Sequence, residues 1–211
     1  MMSSLAISDA MLAFASIFAV FIMAQQKAMA QVHRMSSIIA LFGFLLMAMA
    51  ASAGCLRYGI SAQVWAAPHD MLTNIATYMA PPLISIALCL GLSARSWSRA
   101  AWGRVIIVIC LLYEISRWYE LDAIYRDLQL ALAISFTLYF TLKSQLDYGP
   151  KLMILTAIAS YFVGGLIIGN QGTLLGYLRL DLFRYFIGLG NLLLSSGMYL
   201  ALRNSYPQPE H

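Results

Sequence analysis

The sequence predicts an all-α membrane protein, a bundle of about seven transmembrane helices with its amino terminus outside and its carboxyl terminus in the cytoplasm. Three observations predict it. Hydrophobic residues make up 61% of the chain and charged residues 10%, with a mean hydropathy of +0.76, whereas a soluble domain is about half apolar and a quarter charged. The apolar residues fall into seven runs, and about 20 helical residues span the roughly 30 Å of a bilayer's hydrocarbon. The Lys and Arg residues gather in alternate connections, as they do where positive loops stay in the cytoplasm. The polar connections are too short to cover a soluble bundle. Residues 1–203 therefore read as one transmembrane bundle and residues 204–211, with two prolines, as a polar tail.

The first run covers residues 7–25. Ala28-Met29-Ala30 has the small-x-small form of a signal cleavage site, but Met1 to Ala10 holds no Lys or Arg and does hold Asp9, so this run reads as a mature helix. The second run covers 35–54. The third, 71–93, contains Pro81-Pro82, which removes two backbone donors; a kink is expected, and nearby side chains must satisfy the freed carbonyls. Asp70, with Pro68 just before it, is expected to cap this helix. The fourth run, 104–119, reaches spanning length only if Glu114 and Arg117 lie inside it. The fifth covers 123–143, the sixth 152–169, and "GGLIIGNQGTLLGY" reads as the sixth helix turning toward the seventh at 182–203. In that last helix Gly190 and Gly197 permit close packing, and Asn191 requires a hydrogen-bond partner in the bundle. It carries no retinal-type lysine.

Alternating loops divide the charges into two sets. One holds Lys27, Arg34, Arg95, Arg99, Arg104, Lys143, Lys151 and Arg203 against Asp147 and Glu210, and it is assigned to the cytoplasm. The other holds Arg57, Arg117, Arg126, Arg179 and Arg184 against Asp9, Asp70, Glu114, Glu120, Asp122, Asp127 and Asp181. The pI near 9.0 thus reflects membrane orientation. It does not point to nucleic acid, because the basic residues form no continuous patch for phosphates.

Six charges crowd into "YEISRWYELDAIYRD", Tyr113 to Asp127. Glu114, Arg117 and Glu120 can share one helical face, and Asp122 and Arg126 stand four apart at the start of the next helix. Interleaved Tyr113, Trp118, Tyr119 and Tyr125 have the composition of an interfacial aromatic belt. A solvated hairpin leaving the lipid is one reading. The other is an outward polar pocket, since ionisable groups below the headgroups are expensive unless they face the bundle and have partners. That pocket's binding residues would be Arg117, Arg184, Glu114, Asp70, Arg57 and Asp9, with the two arginines Arg117 and Arg184 as anion-binding groups. Its acid-base candidates are His69, Glu114 and Asp181. His33, beside Arg34, reads as an interfacial residue on the cytoplasmic side.

No metal or cofactor is expected. His33 and His69 fall on opposite faces of the membrane and His211 in the tail, so they hold neither a zinc nor a haem together. Cys55, Cys89 and Cys110 form no close pair and read as packing residues. The glycine-rich stretch lacks the ending of a phosphate loop.

The segment "AASAGCLRYGISAQVWAAPHDMLTNIATYMAPPLISIAL" resembles small bacterial seven-helix proteins of uncharacterised families, which implies a bacterial inner membrane. More loosely, the architecture is similar to the CREST-type membrane hydrolases, including alkaline ceramidases and lysoplasmalogenase-like proteins, and implies amide or ether-lipid hydrolysis inside the bundle. The ceramidase-like members hold zinc with an H-x-x-x-H pair near the last helix. Here "DLFRYFIGLGNLLLSSG" contains no His, so no catalytic residue is carried over. Two function classes follow: a pocket that binds or hydrolyses a membrane lipid or small polar ligand, or an accessory subunit that meets another membrane protein through its outer loops and aromatic belt. Whether the chain is an enzyme is left open. Transport is the weaker third class, because the seven runs show no clear inverted repeat.

Overall fold

The computed structural model describes residues 2–25, 31–169 and 171–204. Lys27, Ala28-Met29-Ala30 and residues 205–211, Glu210 and His211 included, lie outside the described residues. Seven α-helices follow in order: α1 Met2–Met23, α2 Gln31–Gly59, α3 Ala62–Leu92, α4 Arg99–Trp118, α5 Asp122–Lys143, α6 Tyr148–Phe162 and α7 Arg179–Asn204. A π-helical turn, Val163–Ile168, prolongs α6, and a hairpin of β1 (Thr173–Leu174) and β2 (Tyr177–Leu178) leads into α7. Leu175 and Gly176 both have positive φ, 52° and 84°, the backbone that a two-residue hairpin turn requires.

Five of these helices are long and apolar enough to cross a membrane: Ser4–Met23, Gln31–Gly59, Ala62–Leu92, Tyr148–Ile168 and Arg179–Arg203. The chain is accordingly an all-α membrane protein. The exposed surface has the matching character, with Met11, Phe14 and Phe21 of α1 each more than half exposed along one stripe while Ala15, Ser16 and Ala19 are buried on the other.

The centre is filled by Phe44, Leu83, Leu88, Ile154, Met198 and Leu202, all at 0% exposure. Small residues let the helices approach there. A Cβ on Gly197 would stand 2.8 Å from Ile154 Cγ1 and 3.1 Å from the Pro150 carbonyl, and one on Gly190 would strike the Tyr161 ring. Asn191 is at 0% exposure and finds both partners it needs: its Oδ1 accepts from the Tyr161 hydroxyl at 2.8 Å and its Nδ2 donates to Ser16 Oγ at 2.9 Å.

The α3 helix begins well before its apolar run. Ser61 is the N-cap, with its side chain accepting from Val64 N, and Pro68, Pro81 and Pro82 all lie within the helix. The expectation that Asp70 caps α3 is therefore corrected: Asp70 sits in the helix interior and pairs with Arg57 at 2.5 Å. Pro82 cannot donate to the carbonyl of Tyr78 four residues earlier. Gln129 of α5 does so instead, from Nε2 at 2.6 Å. Ser85 and Thr137 continue this polar contact, Ser85 donating to the Ala133 carbonyl at 2.9 Å and Thr137 to Ser85 Oγ at 3.0 Å. The stripe of α5 that turns inward is thus Gln129, Ala133, Thr137 and Thr141, polar or small throughout.

By contrast α4 barely joins the bundle. Its buried residues are Trp102, Ile109 and Ser116, seven apart, a single narrow line of contact. Beyond Trp118 the chain turns at once: Glu120 adopts a left-handed φ of 57° and Leu121 N donates to the Ser116 carbonyl at 2.7 Å.

Candidate functional site

The end of the bundle at which α2 passes to α3, α4 to α5 and α6 to α7 carries Asp9, Asp70, Glu114, Glu120, Asp122, Asp127 and Asp181, and the candidate site residues there fall into two places.

The first lies inside, where α1, α2, α3 and α7 meet. Asp9, two turns into α1, receives Arg184 Nε of α7 on Oδ1 at 2.9 Å, with side-chain exposures of 3% and 7%. Ser8 Oγ links the pair to the start of α7, donating to Asp181 Oδ1 at 2.6 Å while accepting from Arg184 at 3.2 Å. Ser4, one turn earlier on the same face, also donates to Asp181. Arg184 makes a further bond to the Leu5 carbonyl at 3.3 Å, and its guanidinium stands 5.4 Å from the centre of the Tyr58 ring. Asp181 in the first turn of α7 is favourably placed against the helix dipole. His69 enters from α3, edge-on to Tyr58 at 5.9 Å, with Nδ1 3.2 Å from the Ala50 carbonyl. Gly54 of α2 closes the arrangement: a Cβ there would lie 2.7 Å from Asp9 Cγ and 2.9 Å from His69 Cε1. Arg57 and Asp70 form a half-exposed pair above it, at 25% and 63% exposure.

The second place is a lateral groove of about 510 Å³ between α3 and α4. Asn74, Glu114 and Arg117 stand near its rim, Tyr78 and Tyr113 form an aromatic wall with ring centres 4.2 Å apart, and Ile75, Met79 and Ile109 line it further in. Tyr125 of α5 stacks on Tyr78 at 5.9 Å. Glu114 and Arg117 pair with each other at 3.1 Å and are both more than half exposed.

Of the residues expected to share one pocket, Asp9, Arg57, His69, Asp70, Asp181 and Arg184 come together, whereas Glu114 and Arg117 stand apart at the groove. Glu120 does not share their helical face, because α4 ends before it. Arg126 pairs with Asp127 at 3.0 Å instead of Asp122. His33 is buried between the helices, 2% exposed, and its Nδ1 has no hydrogen-bond partner among the described residues. Among the described residues no group of three or more His, Cys, Asp or Glu is arranged to hold a metal ion.

No protein-family model matches the chain, and no curated protein or solved structure does either.

Sequence reasoning missed Ser4, Ser8, Gly54 and Tyr78. Ser4, Ser8 and Asp9 did leave a signal. Serines four apart beside an isolated acid, within an apolar run, place three polar groups toward one side of a helix that has no use for them in lipid.

Proposed function

We propose that the chain is a seven-span membrane protein that binds a phospholipid or similar amphiphile in the groove between α3 and α4. The observation that carries this reading is the groove's polarity along its α4 wall. There it runs from Arg117 and Glu114 to Ile109, charged at the rim and apolar toward the middle of the bundle, facing an α3 wall that is mostly apolar, with Met71, Ile75 and Met79 around Asn74. A headgroup and an acyl chain have that same sequence of polarity. An exposed Arg–Glu pair contributes only about 0 to 1 kcal/mol to stability, so Arg117 and Glu114 can exchange each other for the phosphate and amine of a zwitterionic headgroup. The thin contact of α4 with the bundle leaves the groove open to the side.

In this reading α4 and α5 also span the membrane. Arg99 and Arg104 mark one end of α4 and Glu114 and Arg117 the other, with an uncharged apolar stretch between, and long arginine side chains reach the interface from within. In this reading the amino terminus is outside, as the positive-inside pattern implies, and the membrane is a bacterial plasma membrane, as the resemblance to small bacterial seven-helix proteins implies.

Binding is favoured over hydrolysis. Glu114 is engaged on the rim, His69 faces a backbone carbonyl, and the contact between Ser8 and Asp181 is at 0% and 6% exposure, where no scissile bond reaches it.

The test is purification in mild detergent followed by mass spectrometry of retained lipids. The wild-type chain should carry a defined phospholipid, and Ile75→Trp, which fills the groove from a partly exposed position, should release it with thermal unfolding unchanged. Equal retention by both would overturn the proposal.

A further inference from the structure

The interior cluster of α1, α2, α3 and α7 has a separate chemistry. Its fully interior charges do not balance. Asp9, Asp181 and Arg184 are 2%, 6% and 6% exposed, so two carboxylates share one guanidinium. The other groups facing them are Arg57 and Tyr58 from α2 and His69 and Asp70 from α3, but Arg57 is already taken up by Asp70 nearer the surface. Asp9 Oδ1 has Arg184, and Asp181 has Ser4 and Ser8. Asp9 Oδ2 is buried and has no hydrogen-bond partner among the described residues.

A buried carboxylate oxygen without a donor is costly, and in proteins such atoms are ordinarily satisfied by side chain, backbone or water. Water is a poor answer on the side of Gly54. Even a methyl group there would collide with the Asp9 carboxylate, and a water needs at least its own volume together with two or more polar partners. A proton has no such requirement.

The group already in place to bring one is His69. Its Cε1 is 2.9 Å from the position of that methyl, which is the position Asp9 Oδ2 crowds. A half-turn of the imidazole about Cβ–Cγ exchanges Cε1 with Nε2 and Nδ1 with Cδ2. The ring gives up the contacts of Nδ1 with the Ala50 carbonyl at 3.2 Å and the Thr73 hydroxyl at 3.4 Å, and turns Nε2 toward Asp9.

We propose that Asp9 and His69 together form a proton-binding site within the bundle, loaded when the His69 ring turns over. A proton from the medium adds to the Nε2 lone pair of the neutral ring, and the resulting N–H donates to Asp9 Oδ2; no other covalent bond is made or broken. Loading brings the three interior charges and the imidazolium to balance, two of each sign, and couples α3 to the contact between α1 and α7. The site is independent of the lipid groove.

The experiment is nitrogen-15 histidine NMR of the full chain in detergent as pH is lowered. His69 should become an imidazolium, and in Asp9→Asn its proton uptake should move to lower pH by about one unit or more, the effect of losing a carboxylate within about 4 to 6 Å. In Asp70→Asn it should move less. A His69 ring that stays neutral throughout, or one that titrates alike in the wild type and Asp9→Asn, would overturn the proposal. Should Asp9→Asn fail to fold, infrared difference spectra of the wild-type chain serve instead: a carboxylate band must change at the pH at which His69 titrates, and the absence of such a change is equally contradictory.

Discussion

Arg184 of the last helix donates from Nε to Asp9 Oδ1 of the first at 2.9 Å, with neither side chain more than a tenth exposed. Removing one member leaves the other as an uncompensated interior charge, which costs about 3 to 5 kcal/mol. Arg184→Gln is therefore expected to lower stability by that amount in detergent unfolding. The double variant Asp9→Asn with Arg184→Gln should be more stable than Arg184→Gln alone, because it removes both charges.

The contact between Gln129 and the Tyr78 carbonyl exists because Pro82 supplies no N–H. Gln129→Leu should cost about 1 to 3 kcal/mol by leaving that carbonyl unsatisfied. Restoring the missing donor with Pro82→Ala should reduce the effect of Gln129→Leu, and a double-mutant cycle measures the difference.

These two contacts show what was legible in the sequence and what was not. Seven helices could be read from seven apolar runs, but α2 and α3 extend past theirs, since Arg57 to Gly59 and Ala62 to Asp70 remain helical although polar residues and Pro68 interrupt the apolar pattern there. Asp70 looked like a cap only because the apolar run began beside it. The dense charges of Tyr113 to Asp127 drew attention by number, yet Glu114, Arg117, Arg126 and Asp127 are all largely exposed, and their pairs are local. Asp9 is isolated in sequence and, with Arg184, proved the more buried. A lone acid in an apolar helix has no neighbour to pair with, so its partner must come from another helix. Which helix that is depends on the packing of α1 against α7, and spacing along one chain does not contain that information.

Asn191 binds both Tyr161 and Ser16 at 0% exposure. Tyr161→Phe removes one of these bonds and should cost about 0.6 kcal/mol, the mean for such contacts within membranes. Asn191→Leu removes both and places a larger side chain beside Ser16, so its loss of stability should be clearly greater. Thermal unfolding of the two variants in the same detergent checks the order.

Replacement of Glu114 or Arg117 by Gln should change stability by less than about 1 kcal/mol, since the pair is largely exposed. Lipid retention should nevertheless fall in Arg117→Gln. That separation of stability from retention distinguishes a ligand contact from a packing contact, and a paired measurement of unfolding and bound lipid detects it.

The most direct test of the groove is photo-crosslinking in membranes with a phospholipid carrying a photoreactive acyl chain, followed by peptide mapping. The label should concentrate on residues 71–79 of α3 and 109–117 of α4, be displaced by unlabelled lipid, and disappear in Ile75→Trp. Labelling of equal intensity on the outward stripe of α1, at Phe14 and Phe21, would contradict a specific site and leave only the ordinary contact of the bundle with its bilayer.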